Sequence, residues 1–213
     1  MAELDRVEVR GLVKTFGATR ALGGVDLICA AGSVTVVEGP NGSGKSTLLT
    51  LIAQLGQPTR GSIRYGARSA QAWGSALRQE VGLVAHASML CPDLTVRENL
   101  DLFADLYGAP RVRVQIVIER FALGGFADRP VRTLSRGQAQ RTSLARAVVH
   151  GPSLLLLDEP STGLDADSVS RLVTLITEER GRGVIVIAVT HDSLLAEKVA
   201  DQRLRLERGR VAS

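Results

Sequence analysis

Residues Gly39 to Thr47, GPNGSGKST, constrain this chain more than any other stretch, because they fit the phosphate-loop pattern of Gly, four residues, Gly, Lys and then Ser or Thr. The β-branched run Val34 to Val37 predicts a buried strand, and the Leu-rich stretch Ser46 to Leu55 predicts a helix, so the loop joins strand to helix. Gly39, Gly42 and Gly44 permit positive φ and close backbone approach, which lets successive N–H groups face phosphate oxygens near a helix N-terminus. Pro40, Asn41 and Ser43 complete the loop. Lys45 adds a mobile charge for the β- and γ-phosphates, Ser46 places a hydroxyl for Mg²⁺, and Thr47 donates to the α-phosphate.

The 213 residues amount to about one domain. The longest apolar runs, Val184 to Val189 and Leu154 to Leu157, fall far short of a bilayer span, and the acidic N-terminus MAELDRVEVR lacks the apolar core of a secretory signal. These features predict a cytosolic chain. Cys29 and Cys91 stand far apart, outside any Cys-x-x-Cys pattern, and are expected to be buried small residues. A net charge of +4 raises the question of a polyanionic partner. The arginines are interspersed with acids and aromatics make up only 3% of the chain, so solvated surface charge is the preferred reading and nucleic acid is not an expected partner.

Along the chain, Val7–Arg10, Val25–Ile28 and Val34–Val37 read as short strands punctuated by Gly11, Gly17, Gly23, Gly24 and Gly32, an antiparallel edge region. Phe16 lies in this stretch, and its position alone leaves a core role and a ligand role open. Gly61–Tyr65 and Val81–Val84 read as further strands joined by a polar, alanine-rich connection. Thr95-Val-Arg-Glu98 is a capping box opening a helix that stops before Gly108 and Pro110. Arg111–Phe121 fits strand alternation and helical spacing alike. In Leu134–Gln138, LSRGQ, Ser135 is suited to cap a helix from Gln138 to His150, which makes a second possible anion site. Leu154–Leu157 predicts a buried parallel strand that delivers Asp158 and Glu159 at its C-terminal end, where ligands bind in open α/β sheets. Asp165 is placed to cap a helix over Asp167–Arg180 closed by Gly181. The strand Val184–Val189 ends in Thr190-His191-Asp192, and the tail RLRLERGRVA reads as a hairpin turning at Arg208-Gly209.

The joint order of GPNGSGKST, LSRGQ, LLLLDEP, STGLD and Thr-His-Asp resembles the ATP-binding subunit of ABC transporters over essentially the whole chain. The resemblance implies one α/β phosphate-loop ATPase domain spanning residues 1–213. Its core sheet would be mainly parallel, with an antiparallel β subdomain and a helical subdomain at roughly 88–140, and it favours helix for Arg111–Phe121. It implies ATP and Mg²⁺ as ligands. Asp158 resembles the acid that helps to hold Mg²⁺ in its water shell opposite Ser46, Glu159 the general base, and His191 the residue that contacts the γ-phosphate and attacking water; Lys45 joins them in the catalytic set. Phe16 matches the aromatic that stacks on adenine. Ser135 and Gly137 belong to the signature loop that closes over nucleotide held by a second ATPase subunit, and Asp165 resembles the acid lying across that interface. Implied partners are a second copy and multi-span membrane subunits, with the chain at the cytoplasmic face of the cell membrane.

Two departures stand out. His86 occupies the position where the family carries a glutamine near the metal, and imidazole is a poorer Mg²⁺ ligand than an amide oxygen. A tolerated substitution and a specialised role for His86 both remain open. Arg136 replaces a usual glycine of the signature. Chain size, His86, LSRGQ and the segment CPDLTVRENLDLFADLYG are similar to the haem-exporter ATPase of cytochrome c biogenesis. Another ABC exporter, a soluble ABC ATPase and a binding-only regulatory module are the rival readings.

Overall fold

A computed structural model describes residues 4–85 and 88–212. His86 therefore lies outside the described residues. The first two strands are longer than the glycine punctuation implies: β1 spans Arg6–Phe16 and β2 spans Thr19–Ala30. Gly11, Gly23 and Gly24 sit inside them because the β1–β2 ladder slips register between Val9 and Val13, so these glycines absorb bulges instead of ending strands. β3 (Val34–Glu38) leaves this antiparallel region and pairs in parallel elsewhere, which corrects the expectation that it shared the edge. Helix α1 (Lys45–Ile52) follows the loop. β4 (Arg60–Tyr65) and the short β5 (Arg68–Ser69) complete a four-stranded antiparallel sheet ordered β2-β1-β4-β5. The connection beyond β5 is ordered too: a turn of helix, α2 (Ala70–Trp73), and a 3₁₀ stretch lead into β6 (Val81–Val84).

Between β6 and β7 the regular elements among the described residues are helices. α3 (Val96–Leu106) opens on the expected capping box, Thr95 accepting from the Glu98 N–H and Glu98 accepting from that of Thr95. Arg111–Phe121 resolves as helix α4 (Val112–Arg120), since Val114, Val117 and Ile118 bury one face at helical spacing. α5 runs Arg136–Val148, two residues earlier at each end than expected, because Ser135 caps it directly. β7 (Leu154–Asp158) is followed by α6 (Ala166–Gly181). Gly181 lies within α6, and the turn after it is taken at Gly183 with φ 85°. β8 (Ile185–Val189), α7 (Ser193–Val199), β9 (Gln202–Glu207) and β10 (Arg210–Val211) complete the chain, the last two forming the expected hairpin.

The second sheet has the order β10-β9-β3-β8-β7-β6, parallel except at the hairpin. Its central strands are apolar on both faces, and the two faces feed two cores. Val36, Leu155, Leu157 and Val186 face α3 to α7, whereas Val37, Leu156, Ile187 and Val189 pack with α1 and the antiparallel sheet. Parallel register then aligns strand ends: Val189 stands beside both Val37 and Asp158. Three chain segments therefore leave the sheet side by side at its carboxyl edge.

Cys29 is buried as expected, and burial pushes its thiol up to about 11. Cys91 is only partly buried, because it lies in the loop before α3, where its N–H and C=O bond to Asn99. No helix among the described residues is long and apolar enough to cross a membrane.

Candidate functional site

The phosphate loop is held from beneath by close backbone packing. A Cβ on Gly39, at φ 144°, would lie 2.1 Å from the Leu206 carbonyl oxygen, and one on Gly44, at φ 102°, 2.5 Å from that of Ala21. Only glycine fits either place, sterically and conformationally. The Gly209 N–H donates to the Ser43 carbonyl, so the turn of the terminal hairpin braces the loop from behind. Ser43 is itself buried, and its hydroxyl has no partner among the described residues. Lys45 folds back over the loop, its Nζ donating to the carbonyls of Gly39 at 2.8 Å and Pro40 at 3.1 Å.

Asn41, Gly42, Gly44, Lys45, Ser46, Thr47, Asp158 and Glu159 line one cleft of about 320 Å³. The Ser46 hydroxyl donates to Asp158 Oδ1 at 3.3 Å across it. A hydroxyl and a carboxylate facing each other in this way are oxygen donors of the kind that would hold Mg²⁺, directly or through its water shell. Glu159 adopts φ 50°, left-handed backbone that costs a non-glycine residue about 1–3 kcal/mol. Its N–H donates to the Val189 carbonyl at 2.8 Å, which holds the turn against β8. That turn delivers the Glu159 carboxylate to His191, with Oε2 2.7 Å from Nδ1. The Glu159 side chain is largely covered, while the His191 ring projects into solvent, 73% exposed.

Phe16, Ser135, Gly137 and Asp165 lie outside this cleft. Phe16 is 57% exposed at the β1–β2 turn, with the Lys14 ammonium 4.9 Å from its ring centroid, which removes the core reading for this residue. Ser135 accepts from the Gln138 N–H at 3.3 Å, and the Gln138 side chain accepts in return from the Ser135 N–H. Asp165 caps α6 through the Ser168 N–H at 2.8 Å. The Ser168 side chain and that N–H, together with Arg141 and Arg171, lower the Asp165 pKa below the ordinary carboxylate value. Gly137 and Arg136 pack toward Gly163, so the signature segment abuts the loop that follows Glu159. Gln140 strengthens this junction by donating to the Pro160 carbonyl.

Three contributors had no motif to announce them. Ala21 lines the cleft, Leu206 confines Gly39, and Gly209 braces Ser43. All three act through backbone atoms, which side-chain identity does not encode.

The ABC transporter family profile matches residues 22–162. Over 97% of its length the chain is 35% identical to the lipoprotein-releasing system ATP-binding protein of Caulobacter vibrioides, covering 94% of that relative. It is 40% identical over 95% of its length to an aliphatic sulfonates import ATP-binding protein of Pseudomonas putida, covering 73% of it. It is also 33% identical to a macrolide export ATP-binding/permease protein of Aeromonas hydrophila, of which it spans only 34%. Among solved structures, a bacterial ABC transporter cassette captured as a dimer superposes with a TM-score of 0.90 at 28% identity, covering 97% of each chain. The same cassette as a dimer bound to ADP and Pi gives 0.88. With its two-sheet fold and phosphate-loop cleft, this chain belongs to the ABC transporter family as an ABC-type ATPase cassette.

Proposed function

We propose that this chain binds ATP with Mg²⁺ and hydrolyses it to drive transport through membrane-spanning partner subunits. The observation that carries the reading is the convergence of Lys45, Ser46, Asp158 and Glu159 on one cleft at the carboxyl edge of the sheet. Lys45 exchanges its two loop carbonyls for phosphate oxygens, and the loop N–H groups bind the rest of the phosphate tail. Ser46 and Asp158 hold Mg²⁺, which when bound neutralises charge on the phosphates. Glu159 takes the proton of the water whose oxygen attacks the γ-phosphorus as the bond to ADP breaks, and His191 orients that carboxylate. The exposure of Phe16 at the β1–β2 turn supports its stacking on adenine.

Ser135, Gly137 and Asp165 complete the site of a second copy in a head-to-tail dimer, a reading supported by their position outside the chain's own cleft and by the dimeric structural neighbours. The working location is the cytoplasmic face of a membrane, through the partner subunits. Residues 1–213 act as one ATPase domain, with residues 88–140 as its helical subdomain. Haem export in cytochrome c biogenesis is the finer reading. It rests on the His86 position, LSRGQ and the segment from Cys91 to Gly108. The names of the relatives span lipoprotein release, sulfonate import and macrolide export, and favour no one cargo.

The test is recovery of tagged chain from detergent-solubilised membranes, with Mg-ATP hydrolysis measured on the complex and on the chain alone. A multi-span partner that changes the hydrolysis rate is the expected result. Absence of hydrolysis in both preparations overturns the enzyme reading. A partner belonging to another transport system removes haem export and leaves the motor intact.

A further inference from the structure

A second cavity, of about 310 Å³, lies between α4, α5 and α6, away from the phosphate loop. Its floor is apolar, formed by Phe121, Leu144, Leu172 and Leu175. Three arginines line it, and their charges are compensated very unequally. Arg120 is bound by Glu178 at 2.9 Å and Glu179 at 2.6 Å. Arg141 donates only a long bond of 3.4 Å to the Ala122 carbonyl and lies over the Phe126 ring, with no carboxylate at ion-pair distance among the described residues. Arg171 has neither a hydrogen bond nor an ion pair among the described residues. Both act on Asp165 through their fields, but that carboxylate is committed to the Ser168 N–H and does not line the cavity. The lining carboxylate, Glu178, is taken up by Arg120, so an apolar floor beside two guanidinium groups without an ion pair among the described residues is complementary to a body without charge and a single anionic head. The volume sits at the small end of the about 300–1,000 Å³ typical of ligand pockets, which limits the occupant to a small molecule.

We propose that this cavity binds a small amphiphilic carboxylate, with its chain against Leu144, Leu172 and Leu175 and its head between Arg141 and Arg171. Such a ligand bridges the helix that begins at Ser135 to the helix capped by Asp165, so it occupies the junction between the two outlying segments. The test is calorimetric titration of the full chain, without nucleotide, with decanoate below its micelle concentration, using decylammonium as the matched cation. Decanoate is expected to bind saturably at one site and at least tenfold tighter than decylammonium. Arg141→Gln with Arg171→Gln, both at positions outside the core, is expected to weaken decanoate about tenfold or more. Thr174→Trp fills the cavity from the exposed side of α6 and is expected to abolish binding with the helical circular dichroism unchanged. No saturable decanoate binding, equal binding of decylammonium, or binding that survives either variant overturns the proposal.

Discussion

The two halves of the nucleotide machinery are built in opposite ways. The phosphate-side residues converge: Lys45, Ser46, Asp158 and Glu159 come from separate segments and share one cleft. The signature-side residues diverge, because Ser135 and Asp165 each use their side chain to cap their own helix and line no part of that cleft. A side chain already satisfied locally needs no ligand to be stable. The phosphate side instead stores unmet chemistry, with a strained Glu159 backbone and, among the described residues, a lysine bonded to carbonyls alone and a buried Ser43 hydroxyl without a partner. One half is a cleft within the chain, and the other, under the proposed function, is the surface offered to a second copy.

The sharpest way to break this contrast is Glu159→Gln. It is expected to lower single-turnover hydrolysis by about 10²–10⁴ while ATP still binds and holds a closed dimer, detected by size-exclusion chromatography with and without ATP. Hydrolysis at the parent rate removes Glu159 as the base.

Gly39→Ala attacks the same half through its frame. Contact with the Leu206 carbonyl and the unfavourable φ are expected to cost about 3 kcal/mol in a denaturant titration, with nucleotide binding lost in parallel. Unchanged stability shows that the hairpin yields easily and does not fix the loop.

His150 lies just beyond the far end of the helix that Ser135 begins. Its ring stacks on Tyr107 at 4.3 Å, and burial lowers its pKa from 6.5 to about 4. The unfolded chain therefore binds a proton there before the folded chain does, so stability is expected to fall as pH drops from about 6.5 towards 4, by about 1–3 kcal/mol. His150→Phe keeps an aromatic against Tyr107 and is expected to flatten that part of the stability-against-pH curve, measured by urea midpoints.

Ser135→Ala carries the smallest effect on the monomer, about 1 kcal/mol from the lost cap. Ser135→Asp keeps the cap and restores that stability, yet it places a charge where a second copy's nucleotide would bind. ATP-dependent dimerisation is therefore expected to fail in both variants while stability recovers only in Ser135→Asp. Dimerisation that follows stability instead reduces Ser135 to a capping residue.

Local chemistry made much of the fold legible from sequence. Capping side chains act within four residues of themselves, so Thr95, Ser135 and Asp165 announced their helices, and apolar runs announced β7 and β8. Long-range backbone contacts were not legible in the same way. Glycines in β1 and β2 read as breaks because nothing local distinguishes a turn from a bulge, and α4 matched two periodicities until its packing against α3 and α5 selected one.

By itself the sequence determined the composition of the phosphate loop and the order in which the acids and histidine follow it, because those roles depend on side-chain chemistry at fixed spacing. Tertiary structure alone decided that Ala21, Leu206 and Gly209 frame the loop, that Phe16 stands in solvent, and that Glu159 meets His191. The physical reason is that parallel pairing sets Val37, Val189 and Asp158 abreast, and contacts across that rung depend on register between strands whose paired residues lie 152 and 31 positions apart in the chain.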